Sequence, residues 1–237
     1  MIEYRTKVDN TFVGIWLGGD KGNIVLGCGL PQYIDKYHPF VAQITGLGYN
    51  LFVPRYQGTF ESGGDFNILS SKQTIEDSIG LVLTGKTIEF FDQREIIWDK
   101  NAPLYIIGFS YGSLPVLLSS NKRIAKTILI CPFIDIHFHL ENTSGENIKD
   151  TLSFLERAYP NLYRLNTNQV VENLLDITLP DQKENLIIVI GTNDTSIPKE
   201  EIDLLSHTYP NARFLKENGG HSIKISDELL LNILNSQ

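Results

Sequence analysis

Two rhythms of apolar residues take turns along this chain. Short unbroken runs, "IVLGCG" (24–29), "NLFVPR" (50–55), "LYIIGF" (104–109), "KTILICPF" (126–133) and "NLIIVIG" (185–191), have the length and β-branched content of strands buried on both faces. Between them lie segments whose apolar positions recur every three or four residues. In "HPFVAQITGLG" the spacing puts Phe40, Val41, Ile44 and Leu47 on one side of a helix, with Pro39 in its first turn and Gly48 as its stop. A longer helix begins near Ser71 and carries Ile75, Ile79, Val82 and Leu83. "PKEEIDLLSHT" precedes the strand "ARFLKE", and "SDELLLNIL", with a serine cap, closes the chain as a helix. The opening reads as two strands, 2–8 and 12–18, joined at "DN".

A hairpin followed by alternating strands and helices predicts an α/β fold: a mostly parallel, eight-stranded sheet between two layers of helices. One stretch breaks the alternation. Residues 135–185 separate two strands that a single helix would join. Ile148, Leu152, Leu155 and Tyr159 mark one amphipathic helix there, and Val170, Val171, Leu174 and Leu175 another. The expectation is a core of 1–134 and 186–237 with 135–185 inserted as a small helical cap, packed through Phe138, Phe154, Tyr159 and Tyr163.

Composition narrows the classes. With 237 residues, 42% of them hydrophobic, the chain can bury a single-domain core without staples. A net charge of −8 argues against nucleic acid or an anionic membrane as partner. The N-terminus lacks the apolar core of a signal peptide and no run is long enough to span a bilayer. Both cysteines, Cys28 and Cys131, fall in strand-like runs and read as reduced, so a cytoplasmic protein is expected. Oligomeric state leaves no trace in the sequence.

The chemistry centres on "GFSYG". Ser110 stands between a buried strand and a helix, with Gly108 two residues before and Gly112 two after. A hydroxyl lifted clear of a sheet on a sharp strand-to-helix turn leaves no room for side chains at those two positions. It also stands at a helix start, where free N–H groups stabilise a developing oxyanion. A nucleophilic serine needs a base, and the base an acid. Asp194 in "GTNDTSIP" and His221 in "GGHS" each leave the end of a strand, and their chain order suits a serine–acid–histidine triad. Asp135, at another strand end, is the second candidate for the acid.

These motifs, with "VPRYQGTFESGG" after the fourth strand, resemble the α/β-hydrolase superfamily along essentially the whole chain, in its serine carboxylesterase and serine peptidase-like branch. The resemblance implies a three-layer fold and an oxyanion hole built from the N–H of Tyr111 and one just after the third strand. There the sequence reads "GCGLPQ", with Cys28–Gly29 where His–Gly is usual, so the second donor falls on Leu30 or Gly29. Gln57 replaces a frequent arginine and Ser113 a frequent glycine. His137, Phe138 and His139 are expected to line a substrate pocket under the cap; with no third ligand at diagnostic spacing, the two histidines do not make a metal site. Arg55 and Glu61 read as a structural ion pair. The implied activity is a cofactor-independent serine hydrolase, cleaving small-molecule esters or thioesters of small to medium acyl groups. The alternatives are a small serine peptidase or aminopeptidase, an acyltransferase, and an inactive binding or scaffolding protein.

Overall fold

The structure is a computed structural model and describes residues 2–32, 37–134 and 148–235. Eight strands form the main sheet: β1 (Tyr4–Val8), β2 (Thr11–Trp16), β3 (Asn23–Gly27), β4 (Asn50–Arg55), β7 (Leu104–Phe109), β8 (Ile124–Ile130), β9 (Leu186–Gly191) and β10 (Arg213–Glu217). Their order is β1-β2-β4-β3-β7-β8-β9-β10. Only β2 runs against its neighbours, pairing antiparallel with both β1 and β4; from β4 to β10 every pairing is parallel.

Seven α-helices are described: α1 (His38–Gly46), α2 (Ile68–Thr84), α3 (Ser113–Leu118), α4 (Ile148–Ala158), α5 (Thr167–Leu175), α6 (Lys199–Thr208) and α7 (Asp227–Asn235). α2 starts three residues before the expected position because Asn67 and Ser70 form a reciprocal capping box, each side chain closing on the other's backbone N–H. A short hairpin of β5 (Lys86–Ile88) and β6 (Glu95–Ile97) lies outside the main sheet. It escaped the sequence reading because each strand is only three residues long and, apart from the buried Ile96, its residues are half-buried or exposed and give no apolar run.

Strand periodicity divides the core in two. Ile24 and Leu26, Tyr105 and Ile107, Ile128 and Ile130, and Ile187 and Val189 point to one face, against Val41 and Ile44 of α1 and Leu230 and Ile233 of α7. Val25, Phe52, Ile106, Leu129 and Ile188 point to the other, against α2 and α3. The described part of the insertion joins this second face. Ile148 and Leu152 of α4 and Val170 and Leu174 of α5 belong to the same cluster as Ile75 and Tyr111.

The insertion is also stitched to the loop after β4. Phe60 and Phe66 donate backbone N–H to Leu162 O and Arg164 O, and Arg164 N–H returns to Gly58 O. Tyr163 is buried there against Phe60, with ring centroids 5.5 Å apart. Phe154 and Tyr159 are exposed, their rings meeting edge to face with centroids 5.7 Å apart. Phe154 stands two residues from Leu152, on the opposite side of α4 from its buried stripe, and Tyr159 lies past the helix end.

Candidate active site

β7 ends at Phe109 and the chain turns at once into a single 3-10 turn, Ser110–Gly112, that runs on into α3. Ser110 is held at φ +48°, a left-handed conformation that non-glycine residues adopt only under constraint. The constraint comes from the two glycines. A Cβ at Gly108 would lie 2.6 Å from the Gly112 carbonyl oxygen, and one at Gly112 only 2.2 Å from that of Gly27. Strand, turn and helix therefore touch backbone to backbone. Ser113 fits beside them by donating its hydroxyl to Gly108 O at 3.0 Å, and Pro115 falls in the first turn of α3, where its missing N–H lacks a helical partner anyway.

Asp194 and His221 reach this turn from two neighbouring strand ends. The loops after β9 and β10 are tied by Thr192 N–H to Glu217 O and Asn193 N–H to Gly219 O, both 2.9 Å. His221 Nε2 lies 2.8 Å from Ser110 Oγ and its Nδ1 lies 3.0 Å from Asp194 Oδ2. The imidazole is 29% exposed, and the Asp194 side chain 1%. Burial alone would raise the Asp194 pKa. The His221 hydrogen bond and charge, the Ser196 N–H and the Cys131 thiol outweigh it, so the carboxyl titrates below its ordinary value and stays ionised. Its Oδ1 accepts from Ser196 N–H at 2.9 Å and Ile197 N–H at 3.2 Å, which fixes the oxygen that faces histidine.

Behind this pair sits a residue the sequence did not single out. Cys131, at φ +45° just past β8, brings its sulfur within 4.8 Å of both the Asp194 carboxylate and a ring nitrogen of His221. Among the described residues this is the cluster with three metal-type donors. Burial pushes its thiol up to about 12, so at neutral pH it is a hydrogen-bond donor and not a thiolate. Cys28 is fully buried with its pKa likewise raised to about 12, which agrees with denying it a nucleophilic role.

The segment after β3 is pinned from three sides. Tyr56 Oη donates to Cys28 O at 2.7 Å, and Gln32 donates to Pro54 O at 2.6 Å while accepting from Tyr56 N–H at 3.1 Å. Gly29 N–H donates to Tyr37 Oη at 2.7 Å. Of the two candidate oxyanion donors here, the Gly29 N–H is thus already engaged by Tyr37. The Tyr111 ring points away from the site into the core, where its hydroxyl lies 3.0 Å from Ser71 Oγ. Gln57 reaches Asp77 on α2 at 3.3 Å and does not touch the serine. Arg55 pairs with Glu61 at 3.5 Å and covers the Phe60 ring, a structural arrangement.

A cleft of about 620 Å³ opens beside Ser110. Its walls are Leu30, Tyr37, Phe40, Phe109, Ile223 and Ile225, from the β3–α1 segment, α1 itself, the end of β7 and the run after His221. It lies on the α1 and α7 face of the sheet, and no described residue of 148–185 lines it. The expected pocket residues His137, Phe138 and His139, and the alternative acid Asp135, lie outside the described residues.

Comparison with solved structures gives the same architecture. The thioesterase domain from the curacin biosynthetic pathway superimposes with a TM-score of 0.58 at 15% identity, covering 100% of this chain and 99% of its own. The fold is that of the α/β hydrolases. DcsB, solved in complex with a substrate analogue, shares this α/β-hydrolase fold with a TM-score of 0.67 at 14% identity over 98% of this chain and 97% of its own. For an esterase of Pyrococcus furiosus the values are 0.59 and 18%, over 93% and 82%. No protein-family model and no curated protein matches the sequence.

Proposed function

We propose that this α/β-hydrolase-fold chain is a serine hydrolase that cleaves carboxylic esters or thioesters through an acyl-enzyme on Ser110. The observation that carries the reading is the unbroken chain from Asp194 Oδ2 through both nitrogens of His221 to Ser110 Oγ, at 3.0 and 2.8 Å. An ionised carboxylate on Nδ1 selects the tautomer whose Nε2 is free to accept a proton. Names among the structural neighbours, a thioesterase domain and an esterase, favour this chemistry over others the fold hosts.

In the proposed reaction Ser110 Oγ attacks the scissile carbonyl carbon while its proton passes to His221 Nε2. The carbonyl oxygen becomes an oxyanion facing the N–H groups of Tyr111 and Leu30. When the tetrahedral species collapses, the C–O or C–S bond breaks and the leaving alcohol or thiol takes the proton from His221. Water then adds to the acyl-enzyme, giving its proton to His221, and the acid departs as the proton returns to Ser110. Every proton moves along one hydrogen-bonded line.

A fluorophosphonate probe tests the reading. The folded protein should be labelled at Ser110, and Ser110→Ala should abolish both labelling and hydrolysis of short p-nitrophenyl esters. Absence of labelling in folded protein would favour a binding or scaffolding role. Turnover of aminoacyl amides in preference to esters would move the reading to a peptidase, and product appearing only with an added acyl acceptor would move it to a transferase.

A further inference from the structure

We propose that the cleft between α1 and the run after His221 is the specificity pocket for an apolar substrate group no longer than a medium alkyl chain, with Gln43 as its end wall. This rests on the hydrolase reading above and extends it to substrate class. This cleft lies on the α1 and α7 face of the sheet, apart from the described residues of the insertion.

Three observations carry it. First, the walls nearest Ser110 are apolar and aromatic. Phe109, the residue preceding the serine, meets Tyr37 and Phe40 edge to face, with centroids 5.7 and 5.2 Å apart. Phe40 and Phe109 are only half-buried inside this cluster, and both line the cleft. Apart from His221, the charged residues lining the cleft are Lys224 and Asp227, both exposed at the surface, so the interior offers no partner for a charged group. Second, the volume of about 620 Å³ is that of a small-molecule site. Third, the cleft is bridged at a fixed depth. Gln43 Nε2 donates to Ile225 O and to Asp227 Oδ1, both at 2.7 Å, joining α1 to the start of α7 across the cleft. Gln43 lies six residues beyond Tyr37, about 9 Å along the helix axis, so a chain lying along α1 from Tyr37 would meet it after about that length.

Chain-length profiles test this, with kcat/KM measured for two ester series. One series varies the acyl group from butanoyl through octanoyl to dodecanoyl on a constant p-nitrophenol; the other varies the alcohol over the same lengths on a constant acetyl. In the series whose variable part enters the cleft, kcat/KM should fall about tenfold or more between the eight- and twelve-carbon members. Gln43→Ala should raise the twelve-to-four carbon ratio about fivefold, while Gln43→Leu, which keeps the bulk and loses the hydrogen bonds, should preserve the cutoff. Identical profiles for wild type and Gln43→Ala in both series, with Ser110 still labelled by fluorophosphonate, would overturn the pocket and leave the hydrolase reading standing. A binding measurement works without turnover. Octanoate or octanol should displace a fluorescent apolar probe from Ser110→Ala protein, and Phe40→Ala should weaken that binding about tenfold. Failure of both ligands to bind would likewise overturn the proposal.

Discussion

The turn that carries Ser110 and the cleft beside it share the carboxyl edge of the sheet, yet they are held in different ways. The turn is fixed by backbone atoms in contact, with Gly27, Gly108 and Gly112 approaching so closely that one methyl group would have to move a strand or a helix. The cleft is bounded by side chains, Phe40, Phe109, Ile223 and Ile225, each replaceable without displacing the main chain. A nucleophile needs one geometry, and a pocket that selects among substrates needs walls that can change. Rigid and variable parts sit a residue apart at Phe109–Ser110.

That contrast orders the expected effects of substitution. Ser110→Ala should lower ester turnover by about 10⁴-fold or more, with near wild-type thermal stability, because the hydroxyl contributes to chemistry and little to packing. Asp194→Asn should cost about 10³- to 10⁴-fold in kcat, since the neutral amide no longer enforces the histidine tautomer. Gly112→Ala should act through the fold instead. With its Cβ 2.2 Å from Gly27 O, overpacking of about 3 kcal/mol is expected, visible as a lowered urea midpoint or insoluble protein. If Gly112→Ala folded normally and kept full activity, the backbone-contact account of the turn would be wrong.

Smaller effects probe the supports. Gln32→Ala strips partners from Pro54 O, the Tyr56 N–H and the Thr59 hydroxyl, all buried, and should cost about 1–3 kcal/mol by denaturant titration. It should also lower kcat more than it raises KM, because the segment it holds carries Leu30, the proposed second oxyanion donor. Ile223→Ala, a change in the soft wall, should alter kcat/KM only severalfold and differently for each chain length.

The acid limb sharpens the picture of Asp194. Its folded pKa lies below the unfolded value, so it contributes stability that is present above the unfolded value of about 3.9 and is lost as pH falls through the folded one. Asp194→Asn should therefore lessen the fall in melting temperature below about pH 4. An unchanged acid limb would mean that the carboxylate's hydrogen bonds add nothing to folding.

The strands and helices were legible because burial on one or both faces imposes a period on the sequence, and the serine turn because its glycines answer to a steric demand. Asp194 and His221 could be named from their place after strand ends. The cleft could not. Phe40 looks like any apolar residue on the α1 stripe, and only the fold turns it toward Phe109. Gln43, within the same helix, gains a role from Ile225 and Asp227, more than 180 residues later in the chain. Cys131 reads as one more apolar strand residue until φ +45° swings its sulfur beneath the Asp194–His221 pair. Contacts between distant segments carry no period and no motif.

One hydrogen bond joins the two halves of this comparison. The Tyr37 phenol, placed at the head of α1, holds the Gly29 amide while its ring forms part of the cleft wall. Reshaping the pocket from that end therefore moves the amide next to Leu30 as well. A change in which substrates fit would alter how firmly any of them is gripped at the carbonyl. Room for new selectivity lies farther along the helix, at Phe40 and beyond.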